Sequence, residues 1–255
     1  NVPDPGYLAS AAGLCHRNGA LFVADEVQTG AGRTGRFLAL EYDDGVDPDI
    51  VVLSKALSGG YVPVGAVLVR DWIYDKVFSS MERAVVHSST FGKGGLSMVA
   101  GLATLACLDD QQLMERAVQI GDRLGHAIQA MAPRFEFIRE VRWRGAMLGI
   151  EFDAPRSLAL RSAWSMVHRL DRNLFPQAVT MPLFSDHRVL TQVAGHNVDV
   201  VKLLPPLVLS DDDMDWFLQA FEDVMVRLHK FPGPAWEALS RIGKFAIKAR
   251  LSNTA

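Results

Sequence analysis

Two runs without polar alternation, residues 20–24 and 49–53, organise the first third of the chain. Each predicts a strand, and the second reads as buried on both faces. Leu8, Ala11, Ala12 and Cys15 recur at helical spacing over 6–18, and Gly19 closes that stretch as a helix C-cap. Helix and strand therefore alternate, which predicts a parallel sheet. Another apolar strand is expected at 64–69, followed by a short helix near Asp71. Residues 96–108 read as a helix rich in small side chains (Ala100, Gly101, Ala103, Ala106), suited to close packing at a subunit or domain boundary. An amphipathic helix is expected over 113–131, stopped by Pro133, and two strands over 137–152. One helix is expected over 157–174, where His168 reads as a packing residue. A strand over 200–204 ends at Pro205 and Pro206. Ser210 is the N-cap of a last long helix, and Asp211, Asp212 and Asp213 suit that helix's dipole.

The strand ends carry the chemistry. The run 49–60, DIVVLSKALSGG, delivers Lys55 into a glycine-rich turn, and the run 20–24 ends in Asp25-Glu26-Val27-Gln28-Thr29-Gly30. A buried, unpaired ammonium is heavily penalised, so a lysine there is either used or snorkels to solvent. A desolvated lysine can act as a Schiff-base nucleophile. Parallel neighbours put both strand ends on one edge, where α/β folds bind ligands. Adjacent strands lie roughly 4.8 Å apart, comparable with a substituted pyridine ring. A carboxylate at one end of such a ring and a lysine at the other is what pyridoxal 5'-phosphate needs.

The segments LFVADEVQTGAGRTG (21–35) and LSKALSGGYVPVGAV (53–67) resemble the class III pyridoxal-phosphate aminotransferases, the ornithine, 4-aminobutyrate and acetylornithine group. HSSTFG (87–92), RGAMLGIE (144–151) and VKLLPPLVLS (201–210) fit the same pattern in the same order. The resemblance runs from Val2 to about Val226. It implies an α/β chain of fold type I. Residues 1–132 would form the C-terminal part of a large cofactor-binding domain with a mainly parallel sheet. Residues 133–230 would form a small α+β domain, and 231–255 an amphipathic tail. It makes Lys55 the Schiff-base lysine and Asp25 the partner of the pyridine nitrogen. Val27 would pack on the ring and Gln28 would reach its hydroxyl. Ser89 and Thr90 would serve the cofactor phosphate of a neighbouring subunit, in a homodimer with shared sites. The implied activity moves an amino group between an amine or amino-acid donor and a keto or aldehyde acceptor. An aminomutase, racemase or decarboxylase on the same scaffold, or a non-catalytic dimerisation fragment, are the alternatives. Lys202 stands where ornithine-type enzymes carry an arginine that grips the substrate carboxylate. Lysine is a point charge and lacks that planar fork.

Composition narrows the picture. With 49% hydrophobic residues and a net charge of -3, the chain has material for a sizeable core and nothing to attract nucleic acid. The two cysteines, Cys15 and Cys107, read as buried small apolar residues outside any C-x-x-C pair, which fits a reducing cytoplasm. The seven histidines show no metal-ligand spacing, and no metal is expected. No run reaches the ~18 apolar residues of a membrane span. The chain opens on NVPDPGYL without Met. It reads as a C-terminal fragment lacking the family's phosphate loop and ring-stacking aromatic. From 231 onward, Arg241, Lys244, Lys248 and Arg250 oppose one acid, Glu237, beside Trp236, Leu239, Ile242, Phe245 and Ile247. Such a tail either docks on its own protein or partner subunit, or makes peripheral contact with an anionic membrane.

Overall fold

The first helix, α1 (Tyr7–Arg17), is defined at both ends by residues far along the chain. Gly6 offers no capping side chain, so Asp43 does the capping. Its carboxylate accepts the backbone N–H groups of Gly6 at 2.6 Å, Leu8 at 2.8 Å and Ala9 at 3.2 Å. At the other end Gly19 takes the left-handed conformation (φ +70°). The N–H groups of Gly19 and Ala20 then reach back to the carbonyls of His16 and Cys15, closing a Schellman motif. Asp49 ties this end down, accepting the Phe22 N–H at 2.8 Å and lying 2.9 Å from His16 Nε2. The Phe22 N–H, aided by His16 and opposed by desolvation, holds the Asp49 carboxyl below the usual carboxylate range.

The computed structural model describes residues 2–237 and 239. They form two compact units, divided between Val118 and Gln119. In the first, β1 (Val23–Asp25), β2 (Ile50–Leu53) and β3 (Ala66–Val69) make a three-stranded sheet in that order. β1 and β2 pair in parallel, as the helix-strand alternation predicts, and β3 returns antiparallel to β2. β2 is buried on one face rather than two: Val51 and Leu53 are buried, Ile50 and Val52 only half-buried. The small core is Val51, Leu53 and Leu57, with Ala24, Phe37, Leu38, Leu40 and Leu105 against it. After the short α2 (Asp71–Val77) comes α3 (Gly95–Asp110). Gly101 and Leu108 of α3 are buried, while Leu96, Val99 and Leu102 face outward. Cys107 shares that outward face, three turns along from Leu96, and is exposed, while Cys15 on α1 is half-buried; neither is the buried residue expected.

The helix α4 (Leu113–Met131) forms where its amphipathic pattern predicts, and the division between the units falls inside it. The second unit is built on β4 (Ile138–Arg144), β5 (Met147–Phe152), β6 (Gln192–Val193) and β7 (Val200–Leu203). They form an antiparallel sheet of order β4-β5-β7-β6. Gly121 and Gly125 lie one turn apart on α4. A Cβ on the first would overlap the Gly145 carbonyl, and one on the second the Trp143 ring, so the β4–β5 hairpin seats directly on the helix backbone. The helix expected over 157–174 is two. α5 (Leu158–Leu170) stops at Asp171, whose carboxylate accepts the Asn173 N–H at 2.9 Å. α6 (Leu174–Ser185) then follows, burying Leu174, Phe175, Ala178, Val179 and Leu183. His168 is a packing residue. Its ring stacks on Trp164 at 4.1 Å, and Nε2 lies 3.0 Å from Asp199. α7 (Asp211–Leu228) starts with Ser210 Oγ accepting the Asp213 N–H at 3.1 Å.

Beyond α7, Trp236 and Leu239 are buried in this unit. Trp236 Nε1 donates to the Leu228 carbonyl at 2.9 Å, and its ring lies 5.7 Å from Phe137. The rest of the expected amphipathic tail, with Arg241, Lys244, Lys248 and Arg250, lies outside the described residues. Among the described residues no helix is long and apolar enough to cross a membrane.

Candidate active site

The parallel register pairs Asp25 at the end of β1 with Val52 of β2, so Lys55, three residues further on, leaves the sheet at the same edge. The chain turns sharply there. Ser54 Oγ donates to the Val64 carbonyl at 2.7 Å, and residues 55–58 form a 3₁₀ turn closed by Gly59 (φ +65°). Lys55 itself has φ +47°, a left-handed conformation that side chains adopt at a cost and that clusters at functional sites. Ser58 Oγ donates to the Val62 carbonyl, and Gly59 passes close to Thr104 of α3, which braces the turn from behind. The Lys55 side chain is exposed rather than trapped. Asp25 is exposed as well, and its Oδ1 accepts the Val27 N–H at 3.1 Å. Val27 is half-buried and Gln28 exposed, both in the turn that follows β1. The structure thus brings Asp25, Val27, Gln28 and Lys55 to one edge of one sheet.

Ser89 and Thr90 lie outside these strands and the turns that follow them. They stand in the exposed stretch 81–93 ahead of α3, and among the described residues neither side chain hydrogen-bonds to the β1–β2 edge. Lys202 belongs to the second unit. It is half-buried on β7, on the face opposite Val201 and Leu203, between Gly149 of β5 and Gln192 of β6. Among the described residues no carboxylate lies within ion-pairing distance of it. Arg142, in register with Gly149 from the far side, is engaged by Glu151 at 2.5 Å and Glu140 at 2.8 Å, and those two acids raise its already high pKa.

Sequence reasoning passed over Glu26. Its side chain is 4% exposed, and both oxygens are engaged: Oε1 accepts the Leu40 N–H at 2.8 Å, and Oε2 accepts the Thr29 hydroxyl. Strand parity was the available signal. Side chains alternate, so Glu26 continues the face of Ala24, which packs on the core, while Asp25 points the other way.

Residues 1–225 match the class-III aminotransferase family. Aminotransferase PigE of Serratia sp. (strain ATCC 39006) is 33% identical over 91% of this chain. The ornithine aminotransferase of Oceanobacillus iheyensis is 34% identical over 88% of it. The chain spans 30% and 48% of the length of those two relatives. Among solved structures, the ornithine aminotransferase of Toxoplasma gondii, described with partial occupancy of PLP at its active site, superposes with a TM-score of 0.74 at 30% identity. The match covers 89% of this chain and 48% of that one. The acetylornithine aminotransferase of Elizabethkingia anophelis gives 0.68 at 31% identity, over 88% of this chain and 52% of that one.

Proposed function

The chain belongs to the class-III aminotransferases, and from that premise we propose that the whole protein is a pyridoxal-phosphate enzyme. It moves an amino group between an amine or amino-acid donor and a keto or aldehyde acceptor. The observation that carries this reading is the parallel pairing that sets Asp25 and Lys55 at one strand edge. An exposed carboxylate and an exposed primary amine on adjacent strand ends fit the cofactor by their chemistry, one for a ring nitrogen and one for an aldehyde. When bound, pyridoxal phosphate supplies a carbonyl that condenses with amines and a ring that accepts the electron pair released at the donor carbon. Asp25 holds the proton on the ring nitrogen. Lys55 would hold the cofactor's aldehyde carbon through its amine, and its Nζ would then carry the proton between the donor carbon and that carbon. Val27 packs against one ring face and Gln28 hydrogen-bonds the ring hydroxyl. Lys202 attracts a substrate carboxylate as a point charge, without an arginine's two-bond geometry.

Ser89 and Thr90 serve the phosphate of a second copy. The outward apolar side chains around them support such a homodimer: Met81, Val85 and Phe91 before α3, then Leu96, Val99 and Leu102 along it. Residues 1–132 act as part of the cofactor-binding domain, 133–230 as the small domain and 231–255 as the tail. The free thiols of Cys15 and Cys107 fit a reducing cytoplasm. The test is borohydride reduction of the full-length protein loaded with pyridoxal phosphate, followed by peptide mapping. The label is expected on Lys55, and a label on another lysine overturns the assignment.

A further inference from the structure

Glu26 joins three segments of backbone: the end of β2, the 26–30 turn and the Leu40 segment. Its N–H donates to the Val52 carbonyl at 3.0 Å, extending the β1–β2 ladder one residue past the strand. Its carbonyl accepts the Gly30 N–H at 2.9 Å, which closes residues 26–30 into one turn. Gly30 is required there. A Cβ at that position would lie 2.6 Å from Leu53 Cδ2 and 2.8 Å from the Glu26 carbonyl oxygen. The buried carboxylate then fastens the turn from inside through Thr29, and reaches Leu40, whose side chain covers the Val51–Leu53–Leu57 core. A buried carboxylate is tolerated only when its oxygens are engaged, and here each has a donor.

The turn so fastened supplies the Val27 N–H that bonds Asp25 Oδ1. Asp25 is exposed, and the Val27 N–H is what orients its carboxylate among the described residues. We propose that Glu26 is a positioning residue for Asp25: by locking the 26–30 turn and the Leu40 segment, it fixes the carboxylate that faces the cofactor ring nitrogen. The proposal rests on the reading of Asp25 given above. It assigns Glu26 no contact with cofactor or substrate.

The chemistry of the clasp separates positioning from bulk. In Glu26→Gln, the amide oxygen still accepts the Leu40 N–H, and the amide NH₂ donates to the Thr29 hydroxyl oxygen, so both links survive. In Glu26→Leu both are lost at similar volume. Thr29→Val removes one link and leaves the other.

The experiment uses the full-length protein and two readouts. The first is amide hydrogen exchange at Val27 and Leu40 without cofactor. The second is the ¹⁵N resonance of ring-labelled pyridoxal phosphate when bound, which reports whether the ring nitrogen is protonated. Glu26→Leu is expected to speed exchange at both amides by at least about tenfold. It should move the ring-nitrogen resonance in the direction produced by Asp25→Asn, and Glu26→Gln should restore both readouts. If Glu26→Leu does not fold, Thr29→Val carries the test, with a smaller change in the same direction. A ring-nitrogen resonance that stays at its native position while exchange has accelerated overturns the positioning role alone. If Asp25→Asn itself leaves the resonance unmoved, the reading of Asp25 fails, and the role of Glu26 toward the ring fails with it.

Discussion

The two units solve the problem of burial in opposite ways. Among the described residues, the largest fully buried side chains, from Ile120 and Phe137 to Leu228 and Trp236, all belong to the second unit. The first unit rests its sheet on three buried residues, Val51, Leu53 and Leu57, and turns Tyr61, Met81, Phe91 and Leu96 outward. The second unit packs α6 on β6 and β7, holds α5 and α7 against α6, and seats the β4–β5 hairpin on α4. The first leaves β1 and β3 largely exposed. The candidate chemistry, Asp25 and Lys55, sits in the unit with the fewer buried apolar side chains within this chain, which spans 30% and 48% of the length of two relatives. Buried or half-buried carboxylates clasp its backbone: Asp43 on α1, Asp49 on Phe22, Glu26 on Leu40.

The sharpest way to break this comparison is at the strand edge itself. Lys55→Ala is expected to abolish transamination by the full-length protein. Asp25→Asn should lower it by at least about 10²-fold, in line with the loss of a preorganised charge partner. Both substitutions alter exposed side chains, so thermal unfolding should change little. Steady-state rates with an amine donor and a keto acceptor check the first point, and calorimetry the second. A near-native rate for Asp25→Asn would make that carboxylate structural.

Next in size is the packed unit. Phe137→Ala removes a fully buried ring that neighbours Trp164, Phe175 and Trp236 within 5.1–5.9 Å. It should destabilise by about 3–5 kcal/mol, the range for large-to-small aromatic changes in a core. Val51→Ala in the first unit should cost less, about 1–3 kcal/mol, because its surroundings are thinner. Denaturant titrations of the two variants compare the units directly. Equal losses would mean that the first unit is as well packed as the second.

Gly125→Ala comes below these. The added methyl meets the Trp143 ring, and the displacement should cost about 1–3 kcal/mol, the usual range for overpacking. A neutral result in the same titration would show that the hairpin slides on α4 without penalty.

Legibility in the sequence varies element by element within both units. α4 was readable because its apolar stripe keeps helical period for five turns and Pro133 follows. The start of α7 was readable because Ser210 and Asp213 bond reciprocally. The pairing that puts Asp25 and Lys55 at one edge follows from the alternation of helix and apolar run. α6 was not readable: it is apolar on most sides and carries Pro176 and Pro182, so no stripe distinguishes it. The break before it depends on an Asp171–Asn173 bond, a local competition with the helix that periodicity does not register. Cys107 was misread because an apolar helix gives no sign of which face turns outward. Glu26 escaped because a charged residue beside a charged residue reads as surface, and only strand parity separates the two.

The smallest expected effect is on acid stability, where the units can be compared through one carboxylate each. Asp49 in the first accepts the Phe22 N–H, and Glu136 in the second accepts the N–H groups of Ser157 and Arg156 at 2.8 Å each. Backbone donors hold both carboxyls below their ordinary range, the Ser157 N–H being the largest cause for Glu136. A carboxyl whose folded pKa is depressed binds fewer protons folded than unfolded. Its stabilisation is therefore fully present above the unfolded value, about 4 for a carboxylate, and is lost as pH falls through the lower folded value. Asp49→Asn keeps an oxygen for the Phe22 N–H and removes the titration, so protection of that amide should lose its acid dependence below about pH 4. Glu136→Gln should do the same at Ser157. Hydrogen exchange at the two amides between neutral pH and pH 3 reads each separately. The effect is expected to be larger at Phe22, because the thinly packed unit has less apolar burial to hold that amide once the carboxylate is protonated. An equal response at Ser157 would mean that the clasps matter as much in the packed unit as in the open one.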